Sequence, residues 1–272
     1  SFSFTGAIIG TIYEYSIDDT NAGTATLSGT GTVITATDTV SGIDASSLDD
    51  DTLTLTVALT DAAGNVGVDA VDTTLKDTIL PALSVVSIAS NNSDASWAMA
   101  ADTVTINFTA DENLAASPTV TIDGNAADEV NDLGGNSYTA SRQMQSGDTE
   151  GPITFSIEFA DAVGNAGISV TSSTDATEVI FDETPPADYS VSIDQATISG
   201  TNQTALSFVF AGAEIGAAFM YSLDDTNVTT TAITGTGTIV SATDQVTAIE
   251  ASSLDDDMLT LTVNLSDAAG ND

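Results

Sequence analysis

The amino-acid sequence predicts an all-β chain of tandem antiparallel sandwiches. Three observations lead there: a self-similarity at long period, a period-two hydrophobic pattern with no helical counterpart, and a regular spacing of turn residues.

The repeat comes first. Residues 1–66 align without a gap onto residues 207–272, a constant offset of 206 by subtraction (207 − 1). Roughly 40 of the 66 aligned positions are identical, far above chance. Tyr15-Ser16-Ile17-Asp18-Asp19-Thr20-Asn21 returns as Tyr221-Ser222-Leu223-Asp224-Asp225-Thr226-Asn227. Ala45 through Asp51 returns as Ala251 through Asp257, and Asp61-Ala62-Ala63-Gly64-Asn65 as Asp267 through Asn271. A more distant version of that last loop lies between the copies, at Asp161-Ala162-Val163-Gly164-Asn165. Linkers carrying proline follow at Lys76–Pro81 and Phe181–Pro186. The expected organisation is therefore three modules alternating A, B, A: residues 1–79, 80–184 and 185–272. The first A copy is expected to start at its second strand and the last to stop after its Asp-x-x-Gly-Asn loop, as in a fragment of a longer array. Neighbouring chains that add a strand to the open sandwiches are the alternative.

The strands follow from alternation. In Thr52–Thr60, Leu53, Leu55, Val57 and Leu59 face one way and the threonines the other. The same pattern recurs at Ile153, Phe155, Ile157 and Phe159, and at Leu259, Leu261, Val263 and Leu265. Such alternation marks strands with one buried and one wet face, and threonine suits the wet face. Turn clusters such as Ser41-Gly42, Asp123-Gly124-Asn125 and Ser146-Gly147-Asp148 punctuate the chain. About seven short strands per module imply an immunoglobulin-like antiparallel sandwich.

Composition narrows function. Forty Asp and Glu face only Lys76 and Arg142, a formal net charge of −38. Such a polyanion repels phosphate backbones and anionic lipid, so neither nucleic acid nor a membrane surface is an expected partner. The chain has no Cys and no His. Disulfides, thiolate nucleophiles, zinc–sulfur sites and the usual general base are closed off, and no enzyme activity is expected. Paired carboxylates could in principle hydrolyse glycosides, but no carbohydrate cleft is expected in sandwiches this small. No signal peptide is read in residues 1–15, and the apolar window Ala205–Tyr221 reads as strand, Gly-rich turn and strand, not as a membrane span.

The run from Ile43-Asp44-Ala45-Ser46-Ser47-Leu48 through Leu53–Val57 to Asp61-Ala62-Ala63-Gly64-Asn65, then a strand and the Asp77–Pro81 linker, resembles bacterial Ig-like repeats. These are the tandem modules of giant Gram-negative surface adhesins, including biofilm and ice-attachment proteins. Two features depart from the pattern: Asp49-Asp50-Asp51 stands where an Asp-Gly turn is more usual, and the linker after Asp77 is one residue longer than that after Asp182. The resemblance implies an extracellular or cell-surface stalk that folds outside the cell, where calcium is abundant.

Sandwich topology then places the acids. The A-to-B junction is expected to gather Asp18, Asp19 and Asp49–Asp51 from one side, with Asp77, Asp111, Glu112, Asp161 and Asn165. The B-to-A junction is expected to gather Asp148, Glu150, Asp182, Glu183, Glu214, Asp267 and Asn271. The metal-ligating candidates are Asp77, Asp111, Glu112, Asp161, Asn165, Asp182, Glu183, Glu214, Asp267 and Asn271, and the expected cofactor is Ca²⁺, which takes six to eight oxygens. The competing reading is local turn chemistry, because Asp and Asn side chains bond their own backbone. Gly64, Gly164 and Gly270 read as positive-φ turn positions, and Asp49–Asp51 and Asp255–Asp257 as solvated turns. Trp97 reads as a packing residue and the five Asn-x-Ser/Thr sequons as coincidence in a Thr-rich chain. The function expected is a structural spacer. A self-assembling filament or matrix segment, with copies of the chain as partners, is the alternative, and a glycan- or ice-binding module a third reading.

Overall fold

The computed structural model describes the whole chain, Ser1–Asp272, and contains strands and turns but no helix. It divides into two compact units: Ser1–Leu80 with Val163–Asn165, and Pro81–Ala162 with Ala166–Asp272.

In the first unit, one sheet has the order Leu27–Thr32, Ile12–Asp18, Thr52–Thr60, Ala70–Leu75, all antiparallel. Opposite it, Phe2–Ser3 pairs with Thr39–Val40. On the apolar face of Thr52–Thr60, Leu53 and Val57 are buried and Leu55 and Leu59 half-buried. Phe4, Val33 and Val57 form the core, and Phe2, Phe4, Tyr13 and Tyr15 pack around it at ring-centroid separations of 5.3 to 6.5 Å.

Glycine inside the strand Leu27–Thr32 has a packing role. Gly29 and Gly31 lie opposite Tyr15 and Tyr13 across the sheet. A Cβ there would sit 2.5 and 2.3 Å from the phenol rings, so the rings lie flat over bare backbone. The later copy repeats the device, with Gly235 under Tyr221 and Gly237 under Phe219.

The second unit contains two clusters of buried apolar side chains. Around the first, one sheet has the order Glu129–Gly134, Ser137–Gln143, Thr103–Ala110, Leu83–Ser90. Facing it, Thr119–Ile122 lies between Asn125–Ala126 and Phe155–Glu158. Trp97–Ala98 runs parallel to Ile180–Phe181, which also pairs with Gly151–Pro152. Trp97 is half-buried there. Glu129–Gly134 joins the sheet of Thr103–Ala110 because a tight hairpin ties it to Ser137–Gln143. Gly135 and Asn136 both sit at positive φ, 62° and 64°, as a type I′ turn demands.

Around the second cluster, Leu206–Ala211 lies between Ser190–Ile193 and Gln245–Ile249, facing a sheet ordered Ile233–Thr238, Ala218–Asp224, Thr260–Ser266. The register repeats that of the first unit at the 206-residue offset: Tyr13 opposes Leu59, and Phe219 opposes Leu265. Phe208, Phe210, Phe219 and Tyr221 fill this core at centroid separations of 5.2 to 5.4 Å. The fold is all-β, as the sequence predicts, and antiparallel apart from the pairing of Trp97–Ala98 with Ile180–Phe181.

Candidate functional site

Charge is the chain's dominant chemical feature, and both side-chain cations are already engaged. Lys76 Nζ donates to the Leu48 carbonyl at 2.7 Å and to Asp50 Oδ1 at 2.8 Å. Arg142, buried, meets Asp148 Oδ1 at 2.8 Å. The Lys76 bond, joined by donors from Thr78, lowers the Asp50 carboxyl to about 2. The Arg142 bond likewise holds the Asp148 carboxyl below its usual range. Every other acid must find neutral donors or tolerate its neighbours.

Most find donors. In the first unit Asp49 Oδ2 accepts from Asn21 at 2.6 Å and Thr24 at 3.2 Å, while Asp51 accepts from Thr20. The Asp49–Asp51 run thus fastens neighbouring turns. Asp61 accepts at Oδ1 from the amides of Ala63 and Asn65, both 2.9 Å, and at Oδ2 from Asn65 Nδ2 at 2.8 Å. Gly64 completes the turn at φ 87°.

The equivalent loop in the second unit does more. Asp267, 9% exposed, accepts from Gly270 at 2.8 Å and from the Asn271 amide at 2.9 Å. Asn271 Nδ2 donates to Asp267 Oδ2 at 2.8 Å and also to the Asp182 carbonyl at 3.0 Å. The repeated loop of one sandwich is therefore tied to the linker that precedes that sandwich. Asn165, within the first unit, makes the same kind of tie to the carbonyls of Asp77 and Ile79 at 3.1 and 3.2 Å. Asn92 adds a further strut, donating to Asp102 Oδ2 and to the Ala269 carbonyl, both at 2.8 Å. No motif in the sequence marks Asn92 for this role.

Around the Asp182 linker the acids crowd. Loss of hydration raises the Asp182 carboxyl above its usual range; the Thr184 amide, donating to Oδ1 at 3.0 Å, opposes that, and the charges of Asp267 and Glu150 add to it. Loss of hydration also raises Glu214, with Asp267 and Asp182 as the repelling neighbours. Glu150 Oε1 accepts from the Glu183 amide at 3.1 Å and from Thr184 Oγ1 at 2.5 Å. Glu150, Asp182, Glu214 and Asp267 thus form one electrostatic group that lacks an ionic partner. Their oxygens are the donor type a hard divalent cation takes.

The remaining candidates are placed as follows. Glu183 Oε1 caps the turn at Gly147, accepting its amide at 3.0 Å. Asp148 is committed to Arg142 at 2.8 Å. Asp77 Oδ1 accepts from the Ile79 amide at 3.1 Å in the first unit. In the second unit Asp111 Oδ1 accepts from the Ala82 amide at 2.9 Å, Glu112 is half-buried, and Asp161 is fully buried in a bridge to Leu114.

No family model matches the chain, and no curated protein matches it. Among solved structures, it is similar to a tetra-tandem repeat in the extending region of a large adhesion protein, at 23% identity and a TM-score of 0.32, covering 98% of this chain and 66% of that one. Chicken CNTN1 domains FN1–FN3 share 8% identity at a TM-score of 0.30, covering 98% of this chain and 94% of that one. A Bacteroides ovatus SGBP-B in complex with a mixed-linkage heptasaccharide shares 16% identity at a TM-score of 0.23, covering 94% of this chain and 66% of that one. At these scores the superpositions carry no argument about function.

Proposed function

We propose that the chain is a spacer segment of a secreted or cell-surface adhesin, and that calcium held at its acidic joints stiffens it. The observation that carries this reading is the repeated tie between loop and linker. Asn271 bonds the Asp182 carbonyl, and Asn165 bonds those of Asp77 and Ile79. A module that only had to fold would not need its last loop fastened to the segment before it. One that must set the angle to its neighbour would. The 206-residue repeat, the absence of Cys and His, and the resemblance to Ig-like adhesin repeats support the same role, which involves no catalysis.

Calcium is supported by the electrostatics of the joint. Glu150, Asp182, Glu214 and Asp267 repel one another, and both side-chain cations are used elsewhere. A divalent cation would offset that repulsion with carboxylate and backbone carbonyl oxygens, at the weak affinity of extracellular sites, about 10⁻⁴–10⁻³ M. The test is calorimetric melting in millimolar calcium and in EDTA. Calcium should raise the melting temperature and EDTA should reverse the rise. Identical curves would remove calcium from the account.

A further inference from the structure

The strand Leu27–Thr32 is an edge of the first unit's four-stranded sheet, paired with Ile12–Asp18 on one side and with nothing on the other. The edge is bare for the module as a whole. The first unit holds the segments that follow the strand, residues 33–80, and the later copy holds the segments that precede it, from residue 185 onward. In the later copy the equivalent strand, Ile233–Thr238, again pairs on one side only, with Ala218–Asp224. No backbone hydrogen bond from a turn or loop reaches either strand.

Sheet edges are normally blunted by brevity, charge, proline or a bulge. The sandwich between the two copies does this. Its matching edge strand, Asn125–Ala126, is two residues long, and its other hairpin edge, Glu129–Gly134, carries Glu129, Asp132 and a register shift between Asp132 and Gly134. Leu27–Thr32 has none of these devices. Its register runs unbroken, and residues 21–37 contain no charged side chain and no proline.

The neighbouring strand sets what can pair there. Glu14 lies opposite Thr30 and is exposed on the outer face of the sheet, while Tyr13 and Tyr15 pack against the core. Thr30 Oγ1 donates to the Tyr13 carbonyl at 2.8 Å, which holds this short side chain against its own sheet. A strand added beside Leu27–Thr32 would stand two strand spacings from Glu14, about 10 Å, a distance that a lysine or arginine side chain spans over Thr30. A second copy of the chain would instead bring one net charge of −38 against another.

From this juxtaposition we infer that the Leu27–Thr32 edge accepts an extended cationic segment of a partner protein, added as a further strand with Lys or Arg at alternate positions. The edge amides and carbonyls supply the pairing, and Glu14 selects the charge. The later copy is an internal comparison. Met220, opposite Thr236 and 58% exposed, stands where Glu14 does at the 206-residue offset (220 − 14), so its edge takes the same segment more weakly. The inference does not depend on the spacer reading or on calcium.

The test titrates the full chain with a fluorescent peptide of alternating threonine and lysine at about 0.15 M salt, read by anisotropy and by hydrogen exchange. Saturable binding is expected, with amide exchange slowed more at Leu27–Thr32 than at Ile233–Thr238. Glu14→Gln should weaken binding about two- to fivefold, the loss of one exposed ion pair, and Met220→Glu should increase protection at Ile233–Thr238. A peptide of the same charge with proline in place of threonine cannot donate to the ladder and should bind at least about tenfold more weakly. The inference is overturned by no saturable binding at millimolar peptide, by indifference to Glu14→Gln, or by protection confined to other strands. Equal binding of the proline peptide would also overturn it, as diffuse attraction to a polyanion. So would association of the chain with itself that protects Leu27–Thr32 without peptide, since the edge would then serve self-pairing.

Discussion

Replacing Asn271 by alanine, with Asn65→Ala as its internal control, separates a tie between modules from a turn within one. The two residues occupy equivalent positions in the repeat and make the same local bond. Asn65 Nδ2 reaches Asp61 Oδ2 at 2.8 Å and Asn271 Nδ2 reaches Asp267 Oδ2 at 2.8 Å. Only Asn271 also donates to a linker carbonyl, that of Asp182 at 3.0 Å. A bond to a charged acceptor contributes about 1.5–3 kcal/mol and one to a neutral carbonyl about 0.5–1.5 kcal/mol. Asp267 is 9% exposed, so water replaces little of what is lost, and Asn271→Ala should cost about 2–4 kcal/mol. Asp61 and Asn65 are exposed, and water replaces their bond almost fully. Hydrogen exchange reads the difference locally. Amides of Thr260–Asn271 should exchange about thirtyfold faster or more in Asn271→Ala, while those of Thr54–Asn65 should barely change in Asn65→Ala. Equal acceleration in both variants would refute the tie and leave only turn chemistry.

Gly235→Ala should destabilise the repeat by about 1–3 kcal/mol, because the new Cβ meets the Tyr221 ring at 2.4 Å. Gly200→Ala, with open space at its Cβ, should not, and urea midpoints compare the two. Asp50 is held at about 2 chiefly by Lys76, so its contribution is present above the ordinary value of 3.8 and lost as pH falls through about 2. Asp50→Asn should therefore be less stable than the parent at neutral pH, and the difference should close as the pH is taken below about 2 in an acid-unfolding series. Asp182 and Glu214 carry the opposite sign. Their raised carboxyls are destabilising once ionised, so the strain is present above their folded values and vanishes as pH falls below the ordinary carboxylate range. Asp182→Asn and Glu214→Gln should raise the melting temperature in EDTA at pH 7. The gain should shrink in millimolar calcium; a gain that calcium leaves intact would separate the acids from the ion.

Much of the fold is legible from one chain because alternation and repetition are local or self-referential signals. Thr52–Thr60 declares its buried face residue by residue, and the 206-residue offset carries strand boundaries from one copy to the other. What escapes is cross-strand. Gly29 and Gly31 look like turn residues until the register places them under Tyr15 and Tyr13. The site shows the same division. The acids of the Asp182 linker were readable as a group because topology alone brings their loops together. The role of Asn271 was not, because an amide can present either its oxygen to a cation or its N–H groups to carbonyls. Here the N–H groups are engaged by Asp267 and Asp182, which makes Asn271 a brace rather than a ligand through that atom. Asn92 escaped for the same reason, since its partner at Ala269 lies 177 residues away.

Small-angle scattering of the full chain in calcium and then in EDTA addresses the spacer account most directly. The account predicts a monomer at all concentrations, elongated by about 35–45 Å per sandwich, whose spread of dimensions narrows in calcium and widens again on chelation. Concentration-dependent fibres, a compact particle, or profiles indifferent to calcium would contradict it.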